Sequence, residues 1–489
     1  MNLILIPLAF LIFLLAWMLF RTLKLQRSPD AVEPAPAAPI DSGQVSRHLS
    51  QAIQIKTVSK TEMGVHDYQP FLDLHAWIEK SFPLIRQHLS RTVVNTHSLL
   101  YAWKGADSRL KPVLLNAHMD VVPVDEAARA EWKAEPFGGE LREGFIWGRG
   151  ALDMKGVMVG LLEAVENLIK EGYQPQRTIY LAFGHDEEIM GFQGSMKIVE
   201  HLKAKGVQLA AVLDEGGMMS LGSLLPASTP IAFIGTAEKG FLTLKLSAEG
   251  HPGHSSRPPR QTAIGILARA IALMDDNPMP FRPGGFLPTL ISIGYLLPFG
   301  LQFILANAWL LKGIVVKKLK RNPEIAALLH TTSAATVIAG GIKDNVLPSS
   351  ADAKVNLRLL PGDTIESAFA HFRKVIADPR VKMEIDPQTG GWEASDISST
   401  DTPAYRTLEL VIRQTFNSVP TAPFTFLAAT DSRHYQPVCA NIFRFSPCFI
   451  TPEEQKGIHG INERISQDAL AGMVAFYFRL LRVWGDAGF

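Results

Sequence analysis

Cysteine is nearly absent from this 489-residue chain: there are two, Cys439 and Cys448. So few exclude a disulfide framework, and their spacing excludes a zinc ribbon, although neither fixes the redox compartment. An excess of one charge is lacking as well. With 48 Lys and Arg against 47 Asp and Glu, the formal net charge is +1. That gives no electrostatic footprint for nucleic acid or another strongly charged partner. What is present, 47% apolar and 19% charged residues, describes a globular chain. Its length exceeds what one core sustains, so two domains are expected.

Long apolar runs are rare, but one stands at the start. "LILIPLAFLIFLLAWMLF", Leu3 to Phe20, carries no charge and is about long enough to cross a ~30 Å hydrocarbon core. A cleaved signal peptide needs basic residues ahead of such a run, whereas Arg21, Lys24 and Arg27 follow it. The reading is an uncleaved single-pass anchor over 1–22. The basic flank favours a cytoplasmic body, but a large trailing domain weakens that rule and leaves the side of the membrane open. "SPDAVEPAPAAPID" reads as a flexible Pro/Ala linker within 23–44.

Three later segments share one design. "KPVLLNAHMDVVP" ends its apolar run in His118 and Asp120, "RTIYLAFGHDEE" in Glu187 and Glu188, and "QLAAVLDEGG" in Asp214 and Glu215. Continuous apolar runs of this length suit strands buried on both faces of a mainly parallel sheet. Between the first two, Val157, Leu161, Leu162, Val165 and Leu168 fall at helical spacing, with Gly172 as a stop. Alternating strands and helices predict an α/β domain whose ligand crevice lies beyond the carboxyl ends of the strands. The polar clusters all sit there, joined by Asp153 in the Gly-bounded loop "WGRGALDMKG".

Buried carboxylates without a counter-charge protonate or destabilise the fold, so the clusters are expected to converge on cations. Nitrogen and carboxylate donors without thiolates fit zinc, cobalt or manganese. A metal pair needs a shared carboxylate and a place for water. Adjacent residues at a strand end point different ways. Of Glu187 and Glu188, one can therefore bind metal while the other stays free as general base; their positions alone do not say which.

"NAHMDVVPV", "WGRGALDMKG", "AFGHDEE", "LDEGG", "GHPGHSS" and "GIHGINERI", in this order, together resemble the di-zinc aminoacylase and carboxypeptidase family. The similarity is to its carboxypeptidase S and N-fatty-acyl-amino-acid hydrolase branch, and it runs from about residue 45 to the end. The resemblance implies two Zn2+ per chain, with Co2+ or Mn2+ as substitutes. Asp153 would bridge them, His118 and Asp214 would complete one site, and Glu188 and His459 the other. It further implies Glu187 as general base and Asp120 as the group orienting His118. A folded lid is implied within 239–390, between catalytic parts over 45–238 and 391–489, and it offers a route to a homodimer. His254 of the lid would stabilise the oxyanion, while Asn345 and Arg358 would hold a substrate carboxylate. Read singly, each histidine also fits a structural role and Arg358 fits a neighbouring acid. "ATDSRHY", with Asp431 and Arg433, fits a substrate-lining loop or a plain polar one.

The least expected stretch is "FLPTLISIGYLLPFGLQFILANAWLLKGIVV", Phe286 to Val316, followed by "KKLKR". Pro288, Gly294, Pro298 and Gly300 interrupt any continuous helix, so a second membrane span is not expected. Packing in the lid or at a dimer seam, a membrane-surface patch and a wall for a long acyl chain all fit it. The combined reading is a membrane-anchored metallohydrolase cleaving an amide beside a free carboxylate. Its substrate would be an N-acyl amino acid, with synthesis as the reverse reaction, or a short peptide trimmed from its C-terminus. A non-catalytic binding module would have shed ligands, and here the full set is present.

Overall fold

The computed structural model describes residues 2–26, 28, 30–59, 67–220, 229–486 and 488. Arg27, part of the basic flank, lies outside them. Among the described residues, one helix is long and apolar enough to cross a membrane: Ile6–Leu25, within helix α1 (Asn2–Leu25). It runs three residues past the expected limit of 22 because Arg21 and Lys24 cost a helix nothing.

Eight strands form the larger sheet. In chain order they are β1 (Ser90–Val94), β2 (Ser98–Trp103), β3 (Val113–His118), β4 (Ile179–Gly184), β5 (Ala211–Ser220), β6 (Ile231–Glu238), β7 (Thr421–Phe426) and β8 (Ile442–Ile450). Across the sheet they run β1–β2–β4–β3–β5–β8–β6–β7. The centre is parallel, β3 pairing with β4 and β5, and β5 with β8. The pairings β1–β2 and β2–β4 are antiparallel, so the sheet is mixed at its edge. Every residue of β3 is buried, as the continuous apolar run requires of a strand covered on both faces. Helix α2 (Lys155–Lys170) buries Val157, Leu161, Leu162, Val165 and Leu168, and Gly172 takes the left-handed φ of +74° that ends it.

The chain leaves this sheet after Glu238 and returns at Thr421. Between them a second, antiparallel sheet runs Thr332–Gly340, Ser350–Leu359, Gly240–Glu249, Val381–Ile385. Its core joins Leu242, Leu244, Leu246, Val355 and Leu357 to Ile266, Leu267 and Phe372 from two helices. The apolar insert breaks into α3 (Leu287–Ser292), α4 (Phe299–Ala306) and α5 (Ala308–Leu319), with Pro298 capping α4 as its sequence demands. The long C-terminal helix α6 (Gln467–Gly485) packs on α2.

The Pro/Ala segment differs from expectation. It lies against the catalytic body rather than hanging free. Val32 N–H donates to Ser418 Oγ at 3.2 Å, Arg479 Nη2 donates to Pro36 O at 2.7 Å, and Arg413 donates to Asp30 O. Proline-rich backbone leaves its carbonyls unused by secondary structure, and arginines of the body take them.

Candidate active site

Parallel register brings three strand ends to one edge: His118 stands opposite Gly184, and Leu115 opposite both Leu181 and Leu213. His118 at the end of β3 is buried. Its Nδ1 lies 2.9 Å from Asp120 O, and its Nε2 lies 3.0 Å from Asp153 Oδ1 and 3.4 Å from Glu215 Oε1. Asp120, fully buried, accepts from Ser59 Oγ at 2.7 Å and from the backbone N–H of Glu187 and Glu188 at 3.2 and 3.1 Å. One residue thus fixes both the imidazole, through its carbonyl, and the turn that carries the two glutamates, through its carboxylate.

Asp153 stands between two imidazoles. Its Oδ1 faces His118, and its Oδ2 lies 3.0 Å from His459 Nε2, which also lies 3.2 Å from Glu188 Oε2. Among the described residues, His118, Asp153 and Glu188 form one donor group and His118, Glu187 and Glu215 another. Within each group the donor atoms lie within 4.8 Å of one another.

The resemblance gives the remaining donor place to Asp214, but the acid of this pair that faces His118 is Glu215. In the structure Asp214 Oδ1 accepts from Asn116 Nδ2 at 3.0 Å and from Glu215 N–H at 2.9 Å. Asn116 Oδ1 in turn accepts from Tyr435 at 2.9 Å. The cause is a bulge: Arg444 pairs with Asp214 but the next residue, Phe445, pairs with Gly217. Two residues are therefore extruded between them, and Gly216 takes a φ of +142°. The bulge re-aims Glu215 at His118. The paired glycines of "DEGG" are its sequence signal.

Glu463 was missed in the sequence. Fully buried, its carboxylate accepts from the N–H of Gly150, Leu152 and Asp153 at 3.0, 2.9 and 3.2 Å, and from Arg149 Nη1 at 2.6 Å. It shapes the loop that presents Asp153. Its position four residues after His459 in "HGINE" was the available clue.

The electrostatics of the cluster call for a counter-cation. Burial, then repulsion from Glu215, Asp431 and Glu188, pushes the Glu187 carboxyl well above its ordinary value against the pull of His118. Burial and then Asp153 push Glu215 up to about 8, with His118 opposing. Burial raises Asp214 and Glu188 as well. Hydrogen bonds that His459 donates to Asp153 and Glu188 raise it to about 10. Glu188 Oε1 and Asp214 Oδ2 are buried without a hydrogen-bond partner. Acids crowded at this cost of desolvation and repulsion are what a divalent cation stabilises, so the donor set fits a metal ion. Neither cysteine belongs to it; both are free and buried.

The three lid residues do not come together. Arg358 pairs across the sheet with Phe241 at the end nearest the catalytic body. It lies on the face away from the helices, its guanidinium 5.0 Å over the Phe241 ring. Phe241 stacks on Trp392 at 4.6 Å, and Arg433 stands 4.6 Å over Trp392. Arg433 Nη2 donates to Met190 O at 2.7 Å, in the turn after Glu188. This ladder ties Arg358 to the catalytic turn and gives the "ATDSRHY" loop a place at the site. Asp431 joins it as the acceptor of Ser195 Oγ at 2.6 Å. His254 and Asn345 lie exposed at the opposite end of the lid sheet, where Ser255 N–H donates to Asn345 O at 3.1 Å. From Phe241 to Glu249 alone the strand covers about 27 Å at ~3.4 Å per residue.

Comparison with known proteins follows the same lines. An N-fatty-acyl-amino acid synthase/hydrolase of Xenopus tropicalis is 38% identical over 444 residues, 90% of this chain and 85% of that protein. A probable carboxypeptidase S-like protein of Dictyostelium discoideum is 36% identical over 461 residues, 93% and 87% of the two chains. Among solved structures, an M20 family metallo-carboxypeptidase from Sulfolobus solfataricus superposes with a TM-score of 0.65 at 18% identity. It is covered completely by 91% of this chain. The sequence pattern of peptidase family M20/M25/M40 matches residues 114–483, and with these relatives it shows that the chain belongs to that family and is a hydrolase.

Proposed function

We propose that this protein hydrolyses N-acyl amino acids bearing a long acyl chain, using two zinc ions. The observation that carries the acyl preference is where the insert sits. Phe286, Leu290 and Leu305 of the insert share an apolar cluster with Phe424 and Leu427, on the strand that leads into Thr430 and Asp431. The relatives that are N-fatty-acyl-amino acid synthase/hydrolases, 36% to 38% identical, support the same substrate class. The N-terminal helix is read as an anchor that keeps the enzyme beside lipid.

One ion would be held by His118, Asp153 and Glu215, the last in the place the resemblance gives Asp214, and the other by Asp153, Glu188 and His459. When bound, the ions supply Lewis-acid polarisation of the amide carbonyl and acidify water. Glu187, raised by its buried surroundings, takes a proton from the attacking water and returns it to the leaving amine. Asp120 keeps His118 oriented and the Glu187–Glu188 turn in place. Arg358, preset by the Phe241–Trp392–Arg433 ladder, grips the free carboxylate with its planar fork.

His254 and Asn345 stand too far along their own lid to serve this site. Our reading gives them to the site of a second copy, with the lid sheets meeting along Thr332–Gly340. Val337 and Ile338 on that strand are 52% and 61% exposed. The test is turnover by the zinc-loaded full chain of a long-chain N-acyl amino acid against a dipeptide ending in the same residue. Preference for the acyl substrate is expected; preference for the dipeptide would make the enzyme a carboxypeptidase.

A further inference from the structure

The anchor helix is clamped, not tethered. Asn307, between α4 and α5, is fully buried. Its Nδ2 donates to Met18 O at 3.2 Å and Thr22 Oγ1 at 3.4 Å in α1, and to Phe303 O at 2.8 Å. Arg21 Nε donates to Ala306 O at 2.8 Å. Gly294 lies so close to α1 that a Cβ there would meet Leu25 at 2.8 Å, and Leu25 packs with Phe286, Leu290 and Leu305. Together with the bonds that hold residues 30–36 to the body, this fixes α1 relative to the catalytic domain from both sides of its exit.

The height of the contact matters. The uncharged run of α1 ends at Phe20, yet the insert engages it from Met18 to Leu25, about 10 Å of helix at ~1.5 Å per residue. The insert therefore stands at the level where a spanning helix leaves the hydrocarbon. At that level it presents apolar side chains to its surroundings: Ile291 is 53% exposed, Phe299 51%, Trp309 56% and Leu310 50%. Trp309 and Leu310 follow Asn307 almost directly. Lys317, Lys320 and Arg321, at the end of α5 and just past it, are exposed as well.

We propose that this face of the insert is a membrane-docking surface. It seats in the headgroup region of an anionic phospholipid bilayer and holds the catalytic body at one height and tilt. Tryptophan and long aliphatic side chains favour that depth, and the cations match anionic headgroups. The insert packs against Met18 to Leu25 of α1, a helix whose Ile6, Phe10 and Phe13 are themselves 74%, 67% and 67% exposed. A surface packed on a spanning helix meets the same solvent. This inference rests on reading α1 as an anchor.

The test uses the full chain in nanodiscs of equimolar phosphatidylcholine and phosphatidylserine. Nitroxide labels are placed singly by Leu310→Cys, Phe13→Cys and Ile397→Cys. Cys439 and Cys448 are buried and need not be removed, and Ile397, 60% exposed, is the aqueous control. Power saturation compares access of oxygen with access of an aqueous nickel chelate. The expected result is a Leu310 label open to oxygen and shielded from nickel at headgroup depth, beside a nickel-accessible Ile397 label. Exchanging phosphatidylserine for phosphatidylcholine should raise nickel access at 310. Nickel access at 310 equal to that at 397, with the Phe13 label in lipid, overturns the docking surface and leaves the anchor standing. Aqueous behaviour at both 310 and 13 removes the anchor as well. A 310 label shielded from both reagents puts protein on the patch and overturns the proposal. So does nickel access unmoved by the lipid exchange, for the anionic surface.

Discussion

Replacing Asp214 and Glu215 separately decides which of two adjacent acids binds metal. In Asp214→Asn the Oδ1 acceptor survives, so the bonds from Asn116 at 3.0 Å and Glu215 N–H at 2.9 Å persist. The new amide nitrogen takes the place of Oδ2, which has no partner. A buried donor left unsatisfied costs about 1–3 kcal/mol, partly offset because burial already disfavours the Asp214 charge. Stability should fall by no more than about 3 kcal/mol, with two ions still bound per chain. Glu215→Gln instead removes the anionic donor 3.4 Å from His118 Nε2. Losing even an outer-shell partner weakens metal binding by about 10–100-fold, so a direct donor should cost at least the upper figure. Titration against a competing chelator, followed by metal analysis, should give one tight ion in Glu215→Gln and two in Asp214→Asn. The reverse pattern would refute the bulge argument and restore Asp214 as the ligand. Equal losses would refute the division of labour between them.

Other outcomes follow from the same geometry. Glu187→Gln should lower kcat by about 10²–10⁴-fold while both ions stay bound; turnover near the parent rate would remove Glu187 as base. Glu463→Gln leaves the Arg149 cation buried without its partner, and breaking such a pair costs about 3–5 kcal/mol. A lowered denaturation midpoint together with weaker metal binding is expected, and unchanged affinity would confine Glu463 to scaffolding. Lys239, fully buried at the start of the lid with Nζ 2.8 Å from His330 O, has its pKa lowered to about 7 by burial and then by Arg358. Between about pH 7 and 10.5 the unfolded chain holds a proton that the folded one has shed. Stability should therefore rise with pH there, by up to about 1.4 kcal/mol per unit from this group. Lys239→Met should flatten that rise in a denaturation series; an unchanged slope would assign it to other groups.

What was legible in the sequence depended on whether side-chain type or backbone path decided the outcome. His118 and Asp120 could be paired because an extended chain puts positions two apart on one side. Asp153 could be singled out because an acid in a Gly-bounded loop between strand-end acids has few other uses. The choice between Asp214 and Glu215 was not of that kind. Both are acids and both stand at the bulge inside one strand, and only the count of residues opposite Arg444 and Phe445 sends Glu215 to His118. The lid posed the same problem: Arg358, His254 and Asn345 suit one substrate chemically, but strand pairing puts Arg358 beside the body and the other two at the far tip of the same chain. The Pro/Ala segment read as free because its side chains carry no pattern, yet its backbone carbonyls are held by Arg413 and Arg479. The anchor and the insert were legible as two apolar segments far apart in the chain, but not that Asn307, polar and set between apolar helices, and Arg21 join them by hydrogen bonds. A lone asparagine in such company reads as a helix breaker until the carbonyl it reaches, that of Met18, is known.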